Sequence, residues 1–313
     1  MPAFTATAPG KVILFGEHAV VYGQPAIAVP VEQVRARVVI EPQPRLKPGT
    51  LRLLAKDIQL DARLDELAPD QPLVFAIRLL LSELKIERSP ACTVRVSSTI
   101  PVAAGLGSGA AVSVALLRAF SAFLGQPLPD ERVSRLAYEV EKIHHGTPSG
   151  IDNTVVTYAE PVYFVKGQSI QRFSVPQPFT IVIGDTGISS STSLAVGDVR
   201  QAYQADPELY QAYFSAIGKL AEEARRCIAE GTIETLGALM HENHVLLQKI
   251  GVSCEELDRL VSTANQAGAW GAKLSGSGRG GNMIAVVESG LAEKVAHSLR
   301  QVGAVRTIIT QVR

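Results

Sequence analysis

This chain is short of cysteine, of net charge and of long apolar runs, and each shortage excludes a class of function. Its three cysteines, Cys92, Cys227 and Cys254, are odd in number, far apart and set in apolar stretches. That pattern excludes a disulfide framework or a zinc site and predicts buried, reduced thiols. Thirty basic residues balance thirty acidic ones, so there is no global electrostatic case for nucleic acid or an anionic membrane as partner. No apolar run reaches spanning length. The opening Met-Pro-Ala-Phe-Thr-Ala-Thr has neither the basic nor the apolar part of a secretory signal, so a cytoplasmic protein is expected. Repeats are also missing, and the glycine-rich loop at 101–111 fits neither the GxGxxG fingerprint nor the GxxxxGK[ST] phosphate loop, which sets aside the Rossmann and Walker solutions there. His241 and His244 are spaced i, i+3 rather than the i, i+4 of a zincin helix, and read as a helix-surface pair.

What the chain does have is glycine in clusters. In Pro101-Val-Ala-Ala-Gly-Leu-Gly-Ser-Gly-Ala-Ala111 the loop runs straight into an apolar, Ala-rich segment with the character of a helix. Gly105, Gly107 and Gly109 let backbone approach a ligand, and the unpaired first-turn amides favour phosphate. Ser108 stands where a hydroxyl reaches a phosphate or its metal. Three further segments carry charge beside glycine. Ala8-Pro-Gly-Lys-Val-Ile-Leu-Phe-Gly-Glu-His-Ala-Val-Val-Tyr-Gly23 is an apolar strand flanked by Lys11, Glu17 and His18. Glu141-Lys-Ile-His-His-Gly-Thr-Pro-Ser-Gly-Ile-Asp-Asn153 is a helix end running into a loop, in which Asp152 alone reads as a turn or N-cap residue. His144 and His145 sit at that helix end, where the dipole favours a cation, and stay outside the site. Gly271-Ala-Lys-Leu-Ser-Gly-Ser-Gly-Arg-Gly-Gly-Asn-Met-Ile-Ala-Val286 is a second glycine cluster between two strands.

In this order and at these spacings the four segments resemble the GHMP kinase superfamily over nearly the whole chain, and the wording from Gly16 to Gly23 is similar to that of mevalonate kinases. The resemblance implies an α+β, two-domain GHMP fold: an N-terminal ribosomal-S5-like α+β domain and a C-terminal ferredoxin-like domain with inserted helices. It implies ATP and Mg2+ as cofactors and phosphorylation of the primary hydroxyl of mevalonate, with a homodimer as the family's usual assembly. Asp152 matches the catalytic aspartate and Lys11 the lysine beside it. Ser108 and Glu141 match the magnesium ligands. Gly105, Gly107, Ser108 and Gly109 match the residues that hold the nucleotide phosphates, with Gly276 and Gly278, and after them Gly280 and Gly281, closing over the site. Glu17 and His18 match acceptor-side residues, His18 bonding the acceptor and Glu17 orienting that bond or Lys11. Ser191 and Thr192 read as helix caps, and the resemblance adds Thr192 as an acceptor contact. Two positions depart from the family's wording. Position 109 is Gly where many relatives carry Ser, and Arg279 interrupts a glycine run, either as a cation beside the phosphates or directed to solvent. The rival readings are another GHMP kinase, acting on phosphomevalonate, homoserine or a sugar, and a nucleotide-binding regulator without catalysis.

The 313 residues, 46% hydrophobic, suffice for two cores. A division into 1–175 and 176–313 follows from the proline-rich hairpin region before residue 179. Strands are expected at 5–8, 11–15, 35–40 and 92–98, the last alternating as in a sheet with one solvated face. Helices are expected from about residues 71, 108 and 130, the last with Val133, Leu136, Ala137 and Val140 on one face and Asp130 as its cap. After a hairpin at 160–171 come a strand at 179–184, helices at 207–230, 232–249 and 254–267, then strand, glycine loop, strand, a helix at 291–302 and a strand at 304–312.

Overall fold

Two long strands begin the chain, β1 (Phe4–Phe15) and β2 (Ala26–Pro42), and they pair with each other. Pro9-Gly10, which reads as a break between two short strands, is carried inside β1. The computed structural model describes residues 3–101, 105–145, 148–189 and 192–313; the side chains of His144, His145 and Ser193 and the residues Val102 to Ala104, Gly146, Thr147, Ser190 and Ser191 lie outside the described set. The chain forms two compact units that interleave in sequence. One comprises Met1–Gly10, Val34–Pro101 and Gly107–Ala159, the other Lys11–Gln33, Val102–Leu106 and Glu160–Arg313. The sequence division at 175/176 assigns each half to one domain, whereas 11–33 and 102–106 group with the C-terminal segment.

In the first unit β3 (Leu51–Ala55), β4 (Leu60–Arg63), α1 (Pro72–Glu83), β5 (Cys92–Ser98), α2 (Ser108–Phe123), α3 (Asp130–His145) and α4 (Ile151–Tyr158) follow in order. β5 pairs antiparallel with β2 and parallel with β3, and β3 pairs antiparallel with β4. β3, β4 and α4 were not expected from the sequence. α1 starts where Pro72 occupies the first turn and the Gln71 Oε1 accepts from the amides of Leu73 and Val74. α2 is buried nearly all round by Ala110, Ala111, Val114, Ala115, Leu116 and Leu117, and packs against α1, α3 and α4. Val133, Leu136, Ala137 and Val140 of α3 are buried as their spacing predicts. Asp130, expected as a cap, is the first helical residue, and its carboxylate accepts from Arg118 at 2.7 Å.

In the second unit the start of β2 pairs with β6 (Val162–Phe164), which pairs with β7 (Gln171–Arg172), the expected hairpin. Then come β8 (Phe179–Asp185), α5 (Thr192–Ala205), α6 (Pro207–Glu230), α7 (Thr235–Lys249), α8 (Glu255–Gln266), β9 (Gly271–Ser275), β10 (Asn282–Val287), α9 (Ala292–Gln301) and β11 (Arg306–Val312). The sheet order β11-β8-β10-β9, antiparallel throughout, is the ferredoxin-like arrangement, with extra helices between β8 and β9. β8 and β10 lie centrally and are almost wholly apolar and buried. α7 packs on β9 so closely that a Cβ on Gly237 would meet the Trp270 carbonyl oxygen at 2.1 Å. Cys92 and Cys227 are buried thiols, while Cys254 is half-buried at the start of α8, against expectation. No helix among the described residues is long and apolar enough to cross a membrane.

Candidate active site

In the first unit the functional candidates gather at helix N-termini. α2 begins after Gly107, which takes a left-handed φ of 72° that a residue with a Cβ adopts only under strain. A glycine cap has no side chain to offer, so the first-turn amides of α2 and the helix dipole face outward for an anion. Ser108, half-buried, is the first residue of that turn. Glu141 comes from α3 and is 4% exposed. A Cβ built on Gly109 would lie 3.2 Å from Glu141 Oε1, so the carboxylate rests against the same first turn. A buried carboxylate and a serine hydroxyl on one helix start are hard oxygen donors of the kind magnesium takes, with the remaining positions left to phosphate and water.

Asp152 is not a turn residue. It occupies the first turn of α4, a short helix capped by Gly150, and is half-buried. Three hydrogen bonds hold this helix in register. Asn153 donates from Nδ2 to the carbonyl and the hydroxyl of Ser134 on α3, at 3.1 and 2.9 Å, and the Thr154 hydroxyl donates to Gly150 O at 2.8 Å. With Asn153 pinned to α3, the neighbouring Asp152 is held on the partly open side of α4, where the helix start favours its negative charge.

The second unit holds Lys11, Glu17, His18 and the second glycine cluster. Lys11 is 7% exposed on β1, and its amide donates to Leu106 O at 3.0 Å, which ties this strand to the end of the phosphate loop beside Gly105, itself exposed. Glu17 is buried and forms an ion pair with Lys273 of β9, which is 0% exposed and also donates to Leu274 O at 2.6 Å. Burial pushes the Glu17 carboxyl up and the Lys273 ammonium down, and the ion pair between them pulls each back. The Glu17 carboxylate thus meets Lys273. The sequence reading had it orienting His18 or Lys11.

His18, at a φ of 60°, directs Nε2 to the Ser277 carbonyl at 3.0 Å. Desolvation pushes its pKa down to about 4, with the Arg279 charge acting in the same direction and the Ser277 hydrogen bond opposing. The ring is therefore neutral at pH 7. Because a carbonyl only accepts, Nε2 carries the hydrogen and Nδ1 is left as an acceptor.

The 276–281 loop joins β9 to β10. Gly278, at a φ of 73°, has its backbone against Val252, and a Cβ there would lie 1.7 Å from Val252 O. Gly276 has open space around the same point, as a ligand-facing position requires. Arg279 is exposed, but its guanidinium is bonded to protein groups. It donates from Nε and Nη2 to Gly251 O at 3.2 and 3.1 Å and pairs through Nη1 with Asp198 of α5. Thr192 is the exposed first residue of α5; Ser191 lies outside the described residues, as do the side chains of His144 and His145.

Sequence reasoning missed Lys273, Ser275 and Ser277, alternate residues of one segment that all bond the Ile13-to-His18 stretch. The Ser275 hydroxyl donates to Ile13 O at 2.7 Å, between the Lys273 and Ser277 contacts. The available signal was a lysine between Ala272 and Leu274 inside a short, wholly buried strand, which needs a buried counter-charge. The helix-surface reading of the histidine pair holds for His241 only. His244 is 4% exposed because α7 packs on β9: its Nδ1 accepts from the Leu274 amide at 3.3 Å and its Nε2 lies 3.1 Å from Asp258 Oδ1.

The family model described as GHMP kinases N terminal domain matches residues 72–160, and that described as GHMP kinases C terminal matches residues 221–305. A mevalonate kinase of Pyrococcus horikoshii is 40% identical to the chain, over 98% of it and 95% of the relative. One of Thermococcus sibiricus is 38% identical with the same coverage. Among solved structures, that of L. major mevalonate kinase in complex with R-mevalonate is similar at a TM-score of 0.85 and 30% identity, covering 99% of this chain and 95% of the other.

Proposed function

The chain belongs to the GHMP kinase family, and on that premise we propose that it transfers a phosphoryl group from ATP to the primary C5 hydroxyl of mevalonate, giving 5-phosphomevalonate. The observation that carries the kinase reading is the division of labour between two carboxylates of the first unit. Glu141 is buried against the first turn of α2, while Asp152 stays half-open at the start of α4. The choice of mevalonate is supported by the names of relatives similar over almost the whole chain.

Asp152 takes the acceptor's proton. A carboxylate is a far weaker base than the alkoxide it would have to release, so the proton moves late, as the bond to phosphorus forms. Catalysis then rests mainly on alignment and on charge cancellation at the transferring group, which is the work of Lys11 and of the α2 amides. Ser108 and Glu141 would hold magnesium, which when bound supplies further positive charge to the nucleotide phosphates. Gly105, Gly107 and Gly109 hold the phosphates by backbone, and Gly276 and Gly278 are assigned to the same nucleotide. His18 accepts a hydrogen bond from an acceptor hydroxyl at Nδ1. Thr192 offers its hydroxyl and the first amides of α5 to the acceptor's carboxylate.

The test is a coupled ADP-release assay with magnesium ATP and mevalonate, phosphomevalonate, homoserine or galactose, with the product identified by mass. ADP release with mevalonate alone and a gain of one phosphoryl group is the expected result. Release with another acceptor overturns the acceptor assignment, and release with none overturns the kinase reading in favour of a regulator.

A further inference from the structure

Arg279 occupies a backbone conformation that glycine takes freely and other residues adopt at a cost, with a φ of 58°. Something must hold it there. Its amide donates to Val252 O at 3.0 Å, two guanidinium nitrogens donate to Gly251 O, and the third pairs with Asp198 on α5. A planar fork engaged in this way is directed at a carbonyl and a carboxylate, not at a phosphate. The loop that carries Arg279 is bonded to the stretch before α5 as well. The Gly281 amide donates to Ile188 O at 2.9 Å, and the amide and hydroxyl of Thr186 both donate to Gly281 O at 2.9 Å. The anchors at Gly281 and Asp198 therefore bracket Thr192, one before it in sequence and one after it on the same helix. The same loop holds His18 through the Ser277 carbonyl.

We infer that Arg279 is a positioning residue: it latches α5 to the 276–281 hairpin, fixing Thr192 relative to His18, and so sets the affinity for the acceptor without touching it. The inference rests on the acceptor roles given above to His18 and Thr192. Burial is the main cause that keeps the His18 imidazole neutral, and the arginine's charge acts in the same direction.

Arg279→Gly removes the latch and relieves the backbone, so the variant folds. The expected result is an acceptor KM raised about fivefold, with kcat and the KM for ATP within about twofold of the parent. Asp198→Asn should give the same rise, the double variant no more than either alone, and Arg279→Lys a partial return. A changed melting temperature with unchanged acceptor KM overturns the proposal, as does a rise in ATP KM instead, or additive effects of the two variants. Hydrogen exchange of residues 192–205 separates this from failure of the mevalonate reading. Faster exchange there in both variants supports the latch whatever the acceptor proves to be, and unchanged exchange overturns it.

Discussion

The Glu17–His18 cluster of the second unit and the helix starts of the first unit handle polar groups in opposite ways. Around Glu17 and His18 the buried polar groups are used on one another: carboxylate on ammonium, imidazole on carbonyl, hydroxyl on carbonyl. At α2 and α4 the caps are Gly107 and Gly150, which bring no side chain to the first-turn amides. One region is shaped by side-chain bonds internal to the protein, whereas at the other the glycine caps supply no side-chain bond to the first-turn amides. The difference teaches which residues tolerate change. In the interlocked region a substitution leaves a partner stranded in the interior, whereas at the helix starts it removes chemistry while leaving the fold.

The sharpest way to break this contrast is Asp152→Asn, which deletes a charge and a base without changing shape. Turnover should fall about a thousandfold, with nucleotide binding and the melting temperature nearly unchanged; turnover near the parent's would remove Asp152 from its role. Lys273→Met should do the reverse. It strands the Glu17 carboxylate in the interior and should cost about 3–5 kcal/mol in denaturant unfolding, most of which the Glu17→Gln, Lys273→Met pair restores. A single variant as stable as the parent would mean that the pair does not hold the cluster.

Acid should weaken the same cluster. The folded His18 takes its proton only near pH 4, the unfolded one near 6.5, so the unfolded state binds more protons in between. The associated stability is present above pH 6.5 and declines toward pH 4, by on the order of 3 kcal/mol. Unfolding midpoints of the parent and of His18→Gln, followed across that window, should converge as pH falls, and parallel curves would contradict the neutral imidazole. The smallest effect is expected from Gly109→Ser. Its Cβ meets Glu141 Oε1 at 3.2 Å, a contact that needs a few tenths of an ångström of give. Stability should change by less than about 1 kcal/mol and turnover by less than about threefold. A loss of a hundredfold would show the start of α2 to be as tightly built as the hairpin.

The parts of the site that a sequence displays are those whose chemistry is local. Ser108 after Gly107, Glu17-His18 after Gly16 and the hairpin glycines are legible because turn geometry and charge stand within a few residues of each other. Periodicity revealed α3 and the helices of the second unit for the same reason. Lys273 was missed because its partner is 256 positions away, and His244 because only the packing of α7 on β9 decides that it is inside. Asp152, taken without the resemblance, reads as a turn or N-cap residue since Pro148 and Gly150 signal a loop, yet the Asn153 bonds to Ser134 supply the tertiary support that lets eight residues form a helix. The interleaving of the units was illegible, because each run of sequence looks like a self-contained half.

That interleaving sets the order in which the molecule can be made. Residues 11–33 leave the ribosome early but belong to a unit whose remaining strands and helices begin at residue 160. Glu17 waits for the whole of that synthesis before Lys273 exists to neutralise it, and β2 waits with its first half unpaired to β6. The second unit therefore closes late, through contacts of long sequence separation that slow folding and prolong exposure of apolar strand edges. A ribosome-stalled chain ending before β9 should hold its first unit protected and its Glu17 segment open to protease, with the Glu17–Lys273 cluster among the last structures to form.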